Sequence, residues 1–476
     1  MLFNSLHFIV FFLVVTPLYF LLPHKFRWIL LLVASCYFYM VFIPVYILIL
    51  GFTIIVDYFA GILIESSEGR KRKLYLTLSL VANIGVLCFF KYYNFINENI
   101  SLLLSQFGIN NHIPYLSILL PVGLSFHTFQ AMSYTIEVYR GNQSAEKHFG
   151  IYSLYVMFYP QLVAGPIERP QNLLHQFYEK HPITYENFSI GFKLILMGFF
   201  KKLVVADRLS IFVSAVYQNP SAYSTSMLIV AILFFAFQIY ADFSGYSDIA
   251  LGTARIMGFK LMTNFNTPFF STSVTEFWRR WHISLNTWFN DYLFTPTMVA
   301  NRDWGKFSVV FAIMLTFGVS GLWHGAGWTY IVFGLLHGVA VTYEFLTKKF
   351  RKKLSKSVPP IIYNNLSILL TFVYVCLTWI FFRAEKFDDA LVIFKHLFIP
   401  RGNFFLFDNN LNLIVYSLIA IVILMIHDFS VHLNHGKSYF LYHTSPVVRM
   451  ATYCFLLITI LLIGVYDGGQ FIYFKF

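Results

Sequence analysis

The sequence predicts an all-α, polytopic integral membrane protein, and three observations carry that prediction. Hydrophobic residues make up 58% of the 476 and charged residues only 12%, against about 25% charged in ordinary soluble domains, so a globule of this size has nowhere to hide its apolar surface. Apolar runs long enough to cross the hydrocarbon core as helices recur from end to end. No long polar stretch separates them, so residues 1–476 read as a single transmembrane domain.

The first span covers residues 7–22. It is not a cleavable signal peptide, because no Lys or Arg precedes it and no small-residue cleavage site follows. His24-Lys25-Phe26-Arg27 comes after it, which by the positive-inside rule places the N-terminus outside. Spans at 28–41 and 44–64 follow, then a basic loop from Glu65 to Lys73 that belongs inside. A fourth span, 74–92, leads to an external polar segment from Asn94 to His112, and a fifth re-enters near Pro114 and runs toward Tyr139.

Between Tyr139 and Asn219, Pro160, Pro166 and Pro170 break one apolar run, while Lys201, Lys202, Asp207 and Arg208 interrupt another. Broken helices at membrane depth are tolerated only where they line an enclosed or watery cavity. A span from Met227 to Met257 carries Asp242 and Asp248 at its far end, and a long polar loop follows. Apolar runs Val309–Ser320 and Tyr330–Val341 flank Ser320-Gly321-Leu322-Trp323-His324-Gly325. The most basic run, Thr347–Ser357, belongs inside, and spans at 361–382, 412–427 and 450–465 leave the C-terminus outside. The sum is about eleven transmembrane or re-entrant helices.

The +12 formal charge is scattered through short inter-span loops with no aromatic-interleaved basic surface, so cytoplasmic loops and anionic membrane lipid account for it and nucleic acid does not. Cys36, Cys88, Cys376 and Cys454 all lie in apolar runs without ligand-like spacing, which predicts neither disulfide nor metal site. No GxSxG elbow, HExxH pair, P-loop or placed GxGxxG fingerprint supports hydrolase, zinc-protease or nucleotide chemistry.

His324, in an apolar run between Trp323 and Gly325, must find a partner or a task, and both a structural hydrogen bond and a catalytic base satisfy that need. In the long loop Glu276 and Arg280, Arg279 and His282, and His282 and Asn286 have helical spacing. Trp278, Trp281 and Trp288 suit an interfacial helix, while a His and an amide on one face suit developing oxyanion charge. Asp242 and Asp248, flanked by Tyr240 and Tyr246, fit either a helix end capped by Ser244 and Ser247 or a partner that orients a histidine. His127 and His337 read as tunnel lining or helix-to-helix hydrogen bonding.

Tyr240-Ala241-Asp242-Phe243-Ser244-Gly245-Tyr246-Ser247-Asp248, Phe277-Trp278-Arg279-Arg280-Trp281-His282 and Gly321-Leu322-Trp323-His324-Gly325 together resemble the membrane-bound O-acyltransferase family. Val163 to Pro170 is similar to a stretch of its bacterial, glycan-modifying branch. The resemblance implies helices around a central funnel or tunnel, with His324 at the family's essential histidine and His282 at a second, more variable position. Asp242, Tyr246, Asp248, Trp278 and Arg280 are then expected to line the tunnel or meet the donor. The same expectation covers Trp281, Asn286, Trp323 and Gly325. The implied reaction moves an acyl group, acetyl in this branch, from acetyl-CoA or another acyl thioester to a hydroxyl handled outside the cell membrane. The acceptor is a glycan or an extracytoplasmic SGNH-hydrolase-like partner protein, with no bound cofactor. Arg279, Arg280, Arg302 and Lys306 would meet the donor's phosphates. A secondary transporter or exporter, or a non-catalytic scaffold of a polysaccharide machinery, is the alternative, although no inverted repeat is visible.

Overall fold

Lipid cannot hydrogen-bond a peptide group, so a chain this apolar closes its backbone bonds within helices. The computed structural model, which describes residues 1–117, 121–402, 411–434, 436–466 and 471, does so: all regular structure among the described residues is helical. The chain divides into two compact units, Met1–Ile195 with Ile249–Met262, and Leu196–Asp248 with Thr263–Phe476.

The first unit holds α1 (Leu6–Leu21), α2 (His24–Met40), α3 (Ile47–Ser66), α4 (Gly69–Leu87) and α5 (Tyr93–Ser105). It continues with α6 (Leu124–Arg140), α7 (Phe149–Met157), the single turns α8 (Tyr159–Leu162) and α9 (Pro170–Leu173), and most of α10 (Tyr185–Phe199). The second unit holds α11 (Asp207–Gln218), most of α12 (Thr225–Ile256), α13 (Val274–Arg280), α14 (Ile283–Phe289) and α15 (Thr295–Ala300). Then come α16 (Lys306–His324), α17 (Trp328–Leu346), α18 (Lys348–Ser357), α19 (Pro360–Arg383), α20 (Phe387–Phe398), α21 (Leu411–Leu433) and α22 (Pro446–Ile463). Eight described helical stretches are long and apolar enough to cross a membrane, and α1 is a shorter apolar helix. The protein is a multi-pass membrane protein.

Three span boundaries differ from the sequence reading, the first two because polar residues find partners instead of ending a helix. Arg70, Lys71, Arg72 and Lys73 lie in the first turns of α4 rather than in a loop, and Arg72 donates to the Val138 carbonyl at 3.1 Å. The fourth span does not stop near residue 92: a π-helical turn, Cys88–Tyr92, joins α4 to α5, and the helix runs on to Ser105. Its asparagines hold the returning chain, Asn94 with the Leu116 backbone and Asn97 with Asn111, the latter at 2.6 Å. The fifth span begins at Leu124, behind Gly123 in the left-handed region, and not at Pro114; residues 118–120 lie outside the described residues.

The element that positions the site is the α16–α17 hairpin. A Cβ on Gly334 would stand 2.2 Å from the Phe317 carbonyl oxygen, and one on Gly321 would stand 2.3 Å from that of Tyr330. Without a hydrophobic drive between helices in lipid, small residues that let backbones touch hold such pairs together. The hairpin turns at Gly325–Gly327, which leaves His324 as the last residue of α16.

Gly334→Val forces α16 from α17. We expect a stability loss of about 1–3 kcal/mol or more, read as a lower unfolding midpoint in detergent. An unchanged midpoint contradicts the close packing.

Candidate functional site

The long loop after α12 builds the site from local hydrogen bonds. Ser273 caps α13 by accepting the Glu276 N–H at 3.0 Å, and the Glu276 carboxylate reaches back to Thr272 and forward to Arg280 at 2.6 Å. Burial works against the Glu276 charge, but the Thr272 hydrogen bonds and Arg280 outweigh it and hold the carboxyl below its ordinary range. Here the helix stops. Trp281 is extended, and His282 stands in the left-handed region at φ 45° as the residue before α14. The expectation that Arg279 and His282 share a helical face is therefore corrected by this break.

Two strands of backbone contact pin the turn: Asn266 N–H donates to Arg280 O and Ile283 N–H to Asn264 O, each at 2.9 Å. Asn286 supports it from the other side, because its amide nitrogen donates to the carbonyls of Trp278, Trp281 and His282. Those donors are committed to the turn, so Asn286 does not serve as the oxyanion donor that its spacing from His282 suggested.

The Asn264 side chain fixes the chemistry of His282. Its Oδ1 accepts the Ser284 N–H at 3.2 Å and the Ser284 hydroxyl at 3.0 Å, and lies 3.1 Å from His282 Nδ1. A backbone N–H can only donate, so the atom there is the carbonyl oxygen and Nδ1 must carry the proton. In the neutral ring the lone pair then sits on Nε2. Burial, reinforced by nearby His324, pushes the His282 imidazole well below its usual range and keeps it neutral.

Trp323 joins the two histidines. Its ring centroid is 6.1 Å from that of His282 and 5.0 Å from that of His324. Phe243 meets His282 edge-on at 4.6 Å, and Phe333 and Phe382 close around His324 at 5.8 and 5.2 Å. Both imidazoles are buried. Gly325 lies beside them with its α-carbon against the Tyr330 ring, where a Cβ would clash at 2.2 Å.

The same unit has a cavity of about 820 Å³ lined by Trp278, Arg279, Asn286, Ser320, Lys348 and Arg351, among others; His282, Trp323, His324 and Gly325 are not on its wall. Ser320 is one helical turn before His324 on α16. Trp278 and Asn286 thus stand on the cavity wall. Arg280 does not line it but pairs with Glu276, and Trp281 is packed in the aromatic core against Phe277 and Trp379. Arg302 is exposed beside Asp303, and neither Arg302 nor Lys306 lines the cavity.

Asp242 and Asp248 do not stand at a capped helix end. Helix α12 runs on to Ile256, and the carboxylates pair with two lysines of the π-helical stretch Phe200–Ala206: Lys202 bridges Asp242 at 2.7 Å and Asp207 at 2.8 Å, and Lys201 meets Asp248 at 2.7 Å. Tyr246 is buried in the same region against Phe471, with ring centroids 4.7 Å apart. The two lysines were visible in the sequence as charges in an apolar run, and charges buried there must pair. Asn264 gave no such signal.

His337 is structural. Trp278 Nε1 donates to its Nδ1 at 3.2 Å, and Nε2 lies 2.9 Å from the Thr378 hydroxyl, tying α13, α17 and α19 together. In the first unit His127 bonds Thr53 at 3.2 Å between α6 and α3. Among the described residues no group of three or more His, Cys, Asp or Glu side chains stands ready for a metal ion.

Residues 73–384 match the model of MBOAT, the membrane-bound O-acyltransferase family. The chain is 36% identical over 403 residues to the probable alginate O-acetylase of Pseudomonas aeruginosa, covering 84% of this chain and 75% of that protein. It is 34% identical over 397 residues to the peptidoglycan O-acetyltransferase of Helicobacter pylori, covering 77% and 72%. A teichoic acid D-alanyltransferase of Bacillus subtilis is 28% identical over 289 residues, covering 58% and 72%.

Lys202→Met leaves Asp207 and Asp242 facing each other in a buried site, and we expect a loss of about 3–5 kcal/mol. Thermal unfolding in detergent checks this, and adding Asp242→Asn should restore part of the midpoint. Equal stability of wild type and Lys202→Met would show that the bridge contributes nothing.

Proposed function

The chain belongs to the membrane-bound O-acyltransferase family, and from that premise we propose that it carries an acetyl group from acetyl-CoA or another acyl thioester on the cytoplasmic side to a hydroxyl outside. The acceptor is a cell-surface glycan or an extracytoplasmic SGNH-hydrolase-like partner that passes the group on. The names of the relatives, an alginate O-acetylase and a peptidoglycan O-acetyltransferase, support acetyl and glycan. On this reading residues 1–476 act as one transmembrane domain in a bacterial inner membrane with both termini outside. Membership in an acyltransferase family leaves the transporter and scaffold alternatives without an observation of their own.

The observation that carries the proposal is the pair of buried imidazoles that both meet the Trp323 ring, with centroids 6.1 and 5.0 Å away. His324 takes the proton of the acceptor hydroxyl as its oxygen attacks the thioester carbonyl. The C–O bond forms, the C–S bond breaks, and the proton leaves on the sulfur. His282 carries its proton on Nδ1, so its Nε2 accepts a hydrogen bond inside the site from a donor other than the hydroxyl whose proton His324 takes. This reverses the donor role that its sequence position suggested. Stabilisation of the developing oxyanion falls to the Trp323 N–H in place of Asn286. Arg279, Lys348 and Arg351 at the cavity wall offer the donor's phosphates charge and bidentate hydrogen bonds.

In membranes given radiolabelled acetyl-CoA and acceptor, His324→Ala should lower transfer by about 10² to 10⁴. Asn264→Ala should lower it too, through a freed His282 ring, while donor affinity stays near that of the wild type. Transfer at the wild-type rate by His324→Ala ends the proposal.

A further inference from the structure

Among the described residues one acidic side chain, Glu344, stands on the wall of the cavity that Arg279, Lys348 and Arg351 line. Glu344, Lys348 and Arg351 are spaced i, i+4 and i+7. Helices α17 and α18 part only at Thr347, whose N–H donates to Tyr343 O, and the Arg351 N–H donates in turn to Thr347 O, each at 2.9 Å. Helical bonding therefore passes through the junction and puts the three side chains on one face.

The Glu344 carboxylate is fixed from across the cavity by α13. Its Oε1 accepts the Val274 N–H at 2.7 Å, and its Oε2 accepts the Thr275 N–H at 2.9 Å and the Thr275 hydroxyl at 2.6 Å. Bonds to an ionised acceptor are the stronger kind, and the N-terminus of a helix favours negative charge. The side chain is only 12% exposed, so it has little room to swing.

The same Oε1 lies 3.5 Å from Arg351 Nη1, and the Arg351 side chain is 28% exposed. A guanidinium has five N–H donors in a rigid fork, so one pairing leaves most of them for another acceptor. An arginine held this way before a ligand arrives loses less rotamer freedom on binding than one that must be ordered then. Glu344 spends its charge on α13 and Arg351, while Arg279 and Lys348 pair with no carboxylate among the described residues, so the wall stays cationic.

We propose that Glu344 is a positioning residue for donor binding: anchored by α13, it aims the Arg351 guanidinium at a phosphate of the donor. This rests on the reading that the cavity takes the donor's phosphates.

Titration calorimetry of coenzyme A into the full chain, purified in detergent, tests it without need of the acceptor. Misfolding lowers the number of sites per chain, whereas lost positioning weakens the Kd of the sites that remain. Glu344→Gln should raise the Kd about tenfold. Arg351→Gln should do the same, and the double variant should bind no more weakly than Arg351→Gln alone. Glu344→Asp keeps the charge but sets it one methylene back from Arg351, and should weaken binding in the same direction. Tighter binding by Glu344→Gln, the result of merely removing a repelling charge, overturns the proposal. Wild-type affinity in both Glu344 variants, with weaker binding by Lys348→Gln and Arg351→Gln, overturns it and leaves the cavity reading standing. Wild-type affinity in the Lys348 and Arg351 variants as well removes both.

Discussion

One carboxamide oxygen, Asn264 Oδ1, governs the site. It takes hydrogen bonds from His282 Nδ1 and from both the N–H and the hydroxyl of Ser284, so it sets the tautomer of an imidazole and the start of α14 together. The backbone at His282 is left-handed, a conformation that costs a non-glycine residue about 1–3 kcal/mol and persists only where the surroundings enforce it. Asn264 and Asn286 are that enforcement. The strained residue is also the one whose tautomer Asn264 sets.

Around this point the protein separates groups that hold from groups that react. His337 has both nitrogens engaged by Trp278 and Thr378 and serves as a rivet between helices. Lys201 pairs with Asp248, and Lys202 is shared between Asp242 and Asp207, within the second unit. The close backbone contact at Gly321 and Gly334 fixes α16, and with it His324, against α17.

The helices were legible in the sequence wherever apolar runs ended in turns, as at α2, α17 and α19. They were misjudged where polar residues are satisfied inside the fold: hydropathy takes Asn94 and Asp242 for helix ends, whereas each helix runs through because its side chain finds a partner distant in sequence. At the site, the residue types and their family pattern picked out His282, His324 and Trp323. Their roles were not legible, because the proton on His282 depends on Asn264, eighteen positions away and unremarkable by composition. Helical spacing paired His282 with Asn286 correctly in distance but not in purpose, since the chain leaves the helix at Trp281.

The central claim is that His282 and His324 act as one unit about Trp323. A double-mutant cycle on transfer rate measures it directly, because residues acting together lose far less on the second removal than on the first. His282→Ala combined with His324→Ala should be about as slow as His324→Ala alone. A double variant slowed by the full product of the two single losses would mean that the imidazoles work independently, contradicting the account.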